Sequence, residues 1–282
     1  MFVISGATGR VGSLVVQSLL DAGCPVRALV RRPEAAEQWT ARGAEVAIVD
    51  LKDQAALTRA LEGAAAYFAM MPFDLSAGDL DAYADAVVNS VANAVRDAQV
   101  PHVVMLSSGG ADLPEGTGPI TGLYRMEQAL ATTGAVVTAL RPGHFQEKVS
   151  DILDAARHEG IFPVFSSSAD EQLPMVATKD IAAVATQELL RGPSKSEAVD
   201  IVGPAYSERQ VATTLGSALG RELEVITIPE PGWMDAGFPS HIAQSLTELY
   251  RADDQGQLGP RGDRSVEATT PLATTIGQLV GS

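Results

Sequence analysis

The chain contains a single cysteine, Cys24, in 282 residues, so no disulfide can form within it. A chain so poor in thiols is expected in a reducing compartment, here the cytoplasm. Cys24 falls between a helix and the next strand, the place of a packing thiol rather than a nucleophile. Positive charge is scarce as well: 20 Lys and Arg stand against 35 Asp and Glu, a net charge of −15. Neutralising nucleic-acid phosphates needs the opposite balance, so direct nucleic-acid binding is disfavoured. No apolar run approaches the ~20 residues that span a bilayer. Met1 leads directly into an apolar run without a basic region, so no signal peptide and no membrane attachment are expected. The four histidines are scattered without HxxH spacing, which argues against a metal site. There is no G-x-S-x-G nucleophile elbow and no internal repeat.

What is present begins at the N-terminus. Phe2-Val3-Ile4-Ser5 is a short apolar run of strand character, and three glycines follow at a spacing of three, Gly6, Gly9 and Gly12. Leu14, Val15 and Leu19 then open a helical period. Strand, glycine turn and helix are the context in which such a motif binds a dinucleotide. The first glycine permits the turn, the second admits backbone N–H groups to a pyrophosphate, and the third lets the helix lie close on the strand. The positive end of the helix then faces the phosphates. Residues 1–42 carry five basic groups (Arg10, Arg27, Arg31, Arg32, Arg42) against three acidic ones (Asp21, Glu34, Glu37), a local +2 in an acidic protein. That is the footprint of an anion site.

A second strand, residues 26–30, ends in Arg31-Arg32-Pro33. An acid at this point would bind the ribose 2′-hydroxyl of NAD, whereas arginine accommodates the 2′-phosphate of NADP. NADP(H) is therefore the cofactor expected. Strands follow at residues 45–49, 65–70, 102–106 and 136–140, with helices between them, the long one at 78–98. This alternation predicts an α/β fold, a Rossmann-type doubly wound parallel sheet with ligands at the carboxyl ends of its strands. The residues expected to hold the cofactor are Gly6, Thr8, Gly9, Arg10, Val11, Gly12, Arg31, Arg32, Asp50 and Leu51 at the adenine edge, Met70, Met71, Pro72, Ser107, Pro142 and Gly143.

Beyond residue 148 the alternation stops. Residues 1–148 read as the NADP(H)-binding domain and 149–282 as mainly a substrate-binding lobe, small and partly interleaved with the first. Residues 161–168 read as irregular and serine-rich, and Ser207-Glu208-Arg209-Gln210 as a capping box opening a helix. His144, Phe145, Phe162, Trp233 and Phe238 are the candidates for an apolar substrate pocket, although each aromatic ring could equally serve as core.

GATGRVG, Leu29-Val30-Arg31-Arg32-Pro33, Leu140-Arg141-Pro142-Gly143-His144-Phe145-Gln146-Glu147 and Val176-Ala177-Thr178-Lys179-Asp180-Ile181-Ala182 together resemble the NmrA-like family, atypical short-chain dehydrogenase/reductases. The resemblance spans nearly the whole chain. It implies a Rossmann domain binding NADP(H), a small C-terminal substrate lobe, and activities ranging from quinone reduction to cofactor sensing without turnover. The superfamily's Tyr-x-x-x-Lys proton relay is missing: four residues after Tyr67, Tyr83, Tyr124, Tyr206 and Tyr250 stand Met71, Val87, Gln128, Gln210 and Asp254. Glu127 matches a glutamate of the family's helix, but Leu123 stands where the family's base would be.

The expectation is an NADPH-dependent oxidoreductase, acting as monomer or homodimer, that passes hydride to a small, apolar, electron-poor metabolite such as a quinone, enone or iminium. The alternatives are a redox-sensing regulator without turnover and a non-redox cyclase or isomerase. His144, Ser107 and Tyr124 are the candidate catalytic residues. His144 follows a strand at the nicotinamide level, and imidazole titrates near neutrality.

Overall fold

The computed structural model describes residues 1–74, 76–233 and 239–281, except for the side chains of Pro231 and Trp233. The first half alternates strand and helix: β1 (Phe2–Ile4), α1 (Arg10–Asp21), β2 (Val26–Val30), a 3-10 turn (Pro33–Ala35) running into α2 (Glu37–Thr40), β3 (Glu45–Ile48), α3 (Gln54–Leu61), β4 (Ala66–Met70), α4 (Leu80–Asp97), β5 (His102–Leu106), α5 (Ile120–Ala131) and β6 (Val136–Pro142). The strands are short runs rich in Val, Ile and Ala, and β4 and β5 are buried almost throughout, as a sheet covered on both faces requires.

The second half is less regular. It holds β7 (His144–Phe145), a 3-10 helix (Gln146–Ile152), α6 (Leu153–His158), β8 (Ile161–Val164), β9 (Leu173–Val176), α7 (Thr178–Arg191), β10 (Glu197–Val202) and β11 (Ala205–Tyr206). It ends with α8 (Glu208–Leu219), β12 (Glu224–Thr227), α9 (Glu230–Trp233), α10 (Ser240–Asp254), β13 (Arg264–Glu267) and α11 (Leu272–Val280). The expected capping box opens α8, with the Ser207 side chain accepting from the Gln210 N–H and Gln210 reaching back.

Among the described residues, eight strands form one sheet in the order β13-β10-β6-β5-β4-β1-β2-β3. Every pairing in it is parallel. This is the doubly wound sheet expected, with all six foreseen strands in place. Its order reverses at β1, which pairs β2 on one side and β4 on the other, with Val3 opposite Arg27 and Tyr67. Such a reversal opens a crevice at the strand ends. On one face α1 and α7 bury Val11, Val15, Val16, Leu19, Ile181 and Ala185; on the other α3, α4 and α5 bury Leu57, Leu61, Val87, Val91, Met126 and Leu130.

The second half departs from expectation in three places, counting residues 150–158, whose sequence pattern predicts a helix. Residues 161–168 are not irregular throughout: β8 pairs in parallel with β12 and buries Phe162 and Val164. Its serine-rich continuation and Pro163 disguise it, yet an edge strand tolerates proline because one side needs no N–H. The helix read at 150–158 starts earlier, as a 3-10 helix from Gln146. β13 carries no strand signal strong enough to foresee, and it closes one edge of the main sheet. The chain thus leaves the sheet after β6, returns for α7 and β10, leaves again and returns for β13. Outside the sheet, β11-β9-β7, the pair β12-β8 and helices α6, α8 and α11 enclose a separate core around Phe162, Met175, Leu215 and Ile276.

Candidate cofactor and substrate site

The turn after β1 is built from its residues upward. Ser5 is buried and locks β1 to β4, its Oγ donating to the Phe68 carbonyl at 2.9 Å and accepting from the Met70 N–H at 3.1 Å. Gly6 takes a φ of +64°, in the left-handed region that glycine favours. A Cβ there would also lie 2.8 Å from Met70 Cγ. The Gly9 N–H closes the turn onto the Gly6 carbonyl at 2.8 Å. Gly9 is the N-cap of α1 and has no side chain, so the first N–H groups of the helix receive no cap. Thr8, Gly9 and Arg10 are exposed. The Val11 side chain packs into the core, so it could serve a ligand only through its backbone. Arg10 reaches across to the other half of the chain, where its Nη2 donates to Ser150 Oγ at 2.6 Å and lies 3.7 Å from Asp151.

Arg31 and Arg32 stand exposed at the end of β2, and neither side chain forms a hydrogen bond or ion pair with a described residue, while the Arg32 carbonyl accepts from the Ala35 N–H at 3.1 Å. Guanidinium groups and the free N–H groups of a helix start are both chemistry that suits an anion. The Arg31 charge reaches across the crevice. Asp74 is held below the usual carboxylate range first by its hydrogen bonds from Ser76, with Arg31 and Lys52 adding to the effect. Burial raises Tyr83, which Asp74 and Asp50 reinforce and Arg31 opposes. Asp50 is exposed and accepts from the Lys52 N–H at 2.9 Å. Leu51 corrects the expectation for the adenine edge, since its side chain is buried in the core that holds Leu57 and Leu61.

The ends of β5 and β6 carry a network that no single stretch of sequence announces. Ser107 Oγ donates to Glu127 Oε1 at 2.5 Å. Arg141 grips the same carboxylate through Nε at 3.0 Å and Nη2 at 2.5 Å. The Arg141 and Glu127 side chains are 9% and 10% exposed. Beyond them Arg261 binds Asp112 in bidentate fashion at 2.6 and 3.0 Å, which holds Asp112 low. The network is Ser107–Glu127–Arg141, with Asp112 and Arg261 extending it to the loop after α10. One signal could have found it: an arginine continuing a buried strand requires a carboxylate partner. The bond also commits the Ser107 hydroxyl proton to Glu127.

Three cavities lie around these strand ends. Met71 and Pro72 line a broad cleft of about 790 Å³, walled by Leu80, Arg125 and His241. Pro142, Gly143, His144 and Phe145 line a second, of about 210 Å³, with Lys148 and Tyr250. A third, of about 190 Å³, lies on the far side of His144 against Arg141 and Asp200. His144 and Asp253 line both smaller cavities, and His144 Nε2 lies 3.0 Å from Asp253 Oδ1. Tyr124 lines none of the three. Phe162 does not either: it is buried in the core of the smaller lobe, which corrects its place as a pocket residue. An aromatic that sequence reasoning passed over, Tyr250, lines the 210 Å³ cavity and stacks on Phe165 with centroids 5.8 Å apart. The Trp233 side chain and Phe238 lie outside the described residues. Among the described residues no cluster of His, Cys, Asp and Glu could hold a metal, and no helix is long and apolar enough to cross a membrane.

A parallel sheet reversing at β1, a glycine turn against an uncapped helix and free arginines on the neighbouring strand define a Rossmann-type protein with a crevice suited to phosphate. The chain belongs to the NmrA-like family, whose model matches residues 1–275. It is 30% identical over 286 residues to the NAD(P)H azoreductase of Xenophilus azovorans, covering 99% of this chain and 96% of that protein. It is 28% identical to quinone oxidoreductase 2 of Escherichia coli strain K12, covering 92% of this chain and 90% of that one. Among solved structures it resembles the NADPH-dependent quinone oxidoreductase of Escherichia coli in complex with NADPH. There the TM-score is 0.76 and the identity 26%, with 99% of each chain covered.

Proposed function

We propose that this protein binds NADPH in the crevice at β1 and β4 and reduces a small, apolar, electron-poor acceptor of the quinone, azo or enone kind. The observation that carries the reading is the pair Arg31 and Arg32, exposed and with side chains unpartnered among the described residues, on the strand next to the uncapped start of α1. The residues fit the cofactor: the N–H groups of α1 suit a pyrophosphate, and the guanidinium groups suit a 2′-phosphate. Once bound, the reduced nicotinamide supplies the hydride. The chain's own residues have to orient the reactants and exclude water. Gly6, Gly9 and Gly12 allow close approach of the backbone, Met71 and Pro72 line the broad cleft, and Pro142 lines the 210 Å³ cavity. Glu127 and Arg141 hold Ser107 rigid. His144 and Phe145, with Tyr250 opposite, wall the cavity for the acceptor, and His144 is the residue placed to give a proton.

The missing Tyr-x-x-x-Lys relay also supports a second reading, a regulator that binds NADPH without turning it over. One experiment separates the two. The protein is mixed with NADPH and a panel of quinones, azo dyes and enones, and the absorbance of the reduced nicotinamide is followed. Oxidation of NADPH with at least one acceptor is the expected result. Tight NADPH binding with no oxidation by any acceptor overturns the reductase reading in favour of the regulator.

A further inference from the structure

His144 stands on β7, directly after β6 and Gly143, and Asp253 stands 109 residues later in the last turn of α10. Their side chains meet at 3.0 Å and are 18% and 17% exposed, so the contact is largely shielded from water. Together they form the partition between the two smaller cavities. The Nε2 contact is the ring's one hydrogen bond among the described residues, and Nδ1 has none.

Other charged groups surround the pair without touching the ring. Glu208, at the start of α8, acts on it electrostatically; burial raises this carboxyl, Asp253 adds to the rise, and His144 and Lys148 oppose it. Tyr250 comes from the same helix as Asp253 and is raised by burial, then by Asp151, Glu208 and Asp253. Lys148 faces the 210 Å³ cavity, while Arg141, Asp200 and Glu171 face the far one. Among the described residues only Asp253 makes the direct bond. A carboxylate bonded to one ring nitrogen fixes the tautomer and the ring plane, and it aims the other nitrogen.

We propose that Asp253 is the positioning residue for His144, holding Nε2–H so that the protonated ring presents its Nδ1 proton to the acceptor. This rests on the reductase reading above. The balance is complete. The acceptor receives a hydrogen with two electrons from the reduced nicotinamide, and its double bond shifts an electron pair onto oxygen or nitrogen. That atom forms a bond to the Nδ1 proton as the Nδ1–H bond breaks. His144 is left neutral, still bonded to Asp253, and regains its proton from water.

The test uses the full chain and its Asp253→Asn, Asp253→Glu, His144→Gln and double Asp253→Asn/His144→Gln variants, each checked for retained NADPH binding. Asparagine keeps the shape but can turn its amide toward the ring and reverse the tautomer. The expected ¹⁵N spectrum shows His144 with Nε2–H in the parent chain and in Asp253→Glu, and an altered nitrogen pattern in Asp253→Asn. With an acceptor that is turned over, Asp253→Asn lowers kcat on the order of 100-fold with KM little changed, and Asp253→Glu recovers part of it. The double variant is no worse than His144→Gln alone, because the two act as one unit. Unchanged ¹⁵N signals in Asp253→Asn, or losses that simply multiply in the double variant, overturn the proposal. A parent chain that oxidises no NADPH overturns the reductase reading and the proton delivery that rests on it. In that case the ¹⁵N comparison still decides whether Asp253 sets the His144 tautomer.

Discussion

Gly12 and Gly6 face each other so closely that a Cβ on Gly12 would stand 2.2 Å from the Gly6 carbonyl oxygen. No flexible side chain lies there to give way, so backbone would have to move. Gly12→Ala is expected to lift the start of α1 off the turn. Stability should fall by roughly 1–3 kcal/mol in urea unfolding, the usual effect of overpacking, and NADPH affinity should fall with it. Gly277→Ala is the control, since a Cβ in that helix meets nothing within 4 Å. There the substitution should raise stability by about 0.5–1 kcal/mol. Equal behaviour of the two variants would remove the packing argument for Gly12.

On the proposed reading Arg31 carries the preference for NADPH over NADH. Arg31→Ala is expected to weaken NADPH by about 1.5–3 kcal/mol, the usual worth of a hydrogen bond to a charged group, and NADH far less. Fluorescence titration with both nucleotides measures this directly. If both weaken alike, the 2′-phosphate is not held at Arg31.

Glu127 ties Ser107 to Arg141 in a nearly dry setting. Removing Glu127 takes the close carboxylate from the buried Arg141, whereas removing Ser107 only takes one hydrogen bond from Glu127. Glu127→Ala should cost about 3–5 kcal/mol, against about 1–3 kcal/mol for Ser107→Ala. Urea unfolding of the single and double variants should show strong non-additivity, because the residues share one carboxylate. Additive losses would mean that Ser107 is held by something else.

Tyr67 is wholly buried in β4, and its hydroxyl has no hydrogen-bond partner among the described residues. Burial pushes it from 10.0 up to about 12, with the Ser5 hydroxyl, close by but outside good hydrogen-bond geometry, pulling weakly the other way. As pH rises past 10, the unfolded chain gives up this proton while the folded one still holds it. Unfolding then becomes easier with each step until the folded value is passed. The contribution is therefore complete below about pH 10 and lost by about pH 12, a swing of about 2–3 kcal/mol. Tyr67→Phe should flatten this alkaline loss in urea titrations, and at neutral pH it should be as stable as the parent or more so. An alkaline loss of the same size in both proteins would place its origin elsewhere.

The first half of the fold was legible because its central strands β1, β4, β5 and β6 are short apolar runs buried almost throughout, and such runs report burial. The glycine turn was legible because its requirements are local. What failed to show were features decided by distant partners. β13 alternates between half-buried and exposed positions and reads as a loop, yet its Arg264 is anchored to Glu188 at 2.6 Å and to Glu197 at 3.1 Å. The Arg141–Glu127 bond joins a strand to the helix before it, and His144–Asp253 joins residues 109 apart. Phe162 was correctly an inward-facing ring, but nothing local says which of the cores it enters. Spacing along a chain does not encode such meetings.

The late return of the chain to its own sheet sets an order of assembly. On the ribosome, β1, β2 and β4 emerge within the first 70 residues, long before their neighbours at the other edge. β10 then has one side bare until β13 has been made. The smaller lobe cannot seal until Thr270 and Thr275 reach Gln146. For that interval the nascent protein exposes a parallel strand edge to whatever chain is nearest. Premature termination upstream of residue 264 should therefore produce aggregation rather than a shorter folded protein, which light scattering of the truncated chain measures.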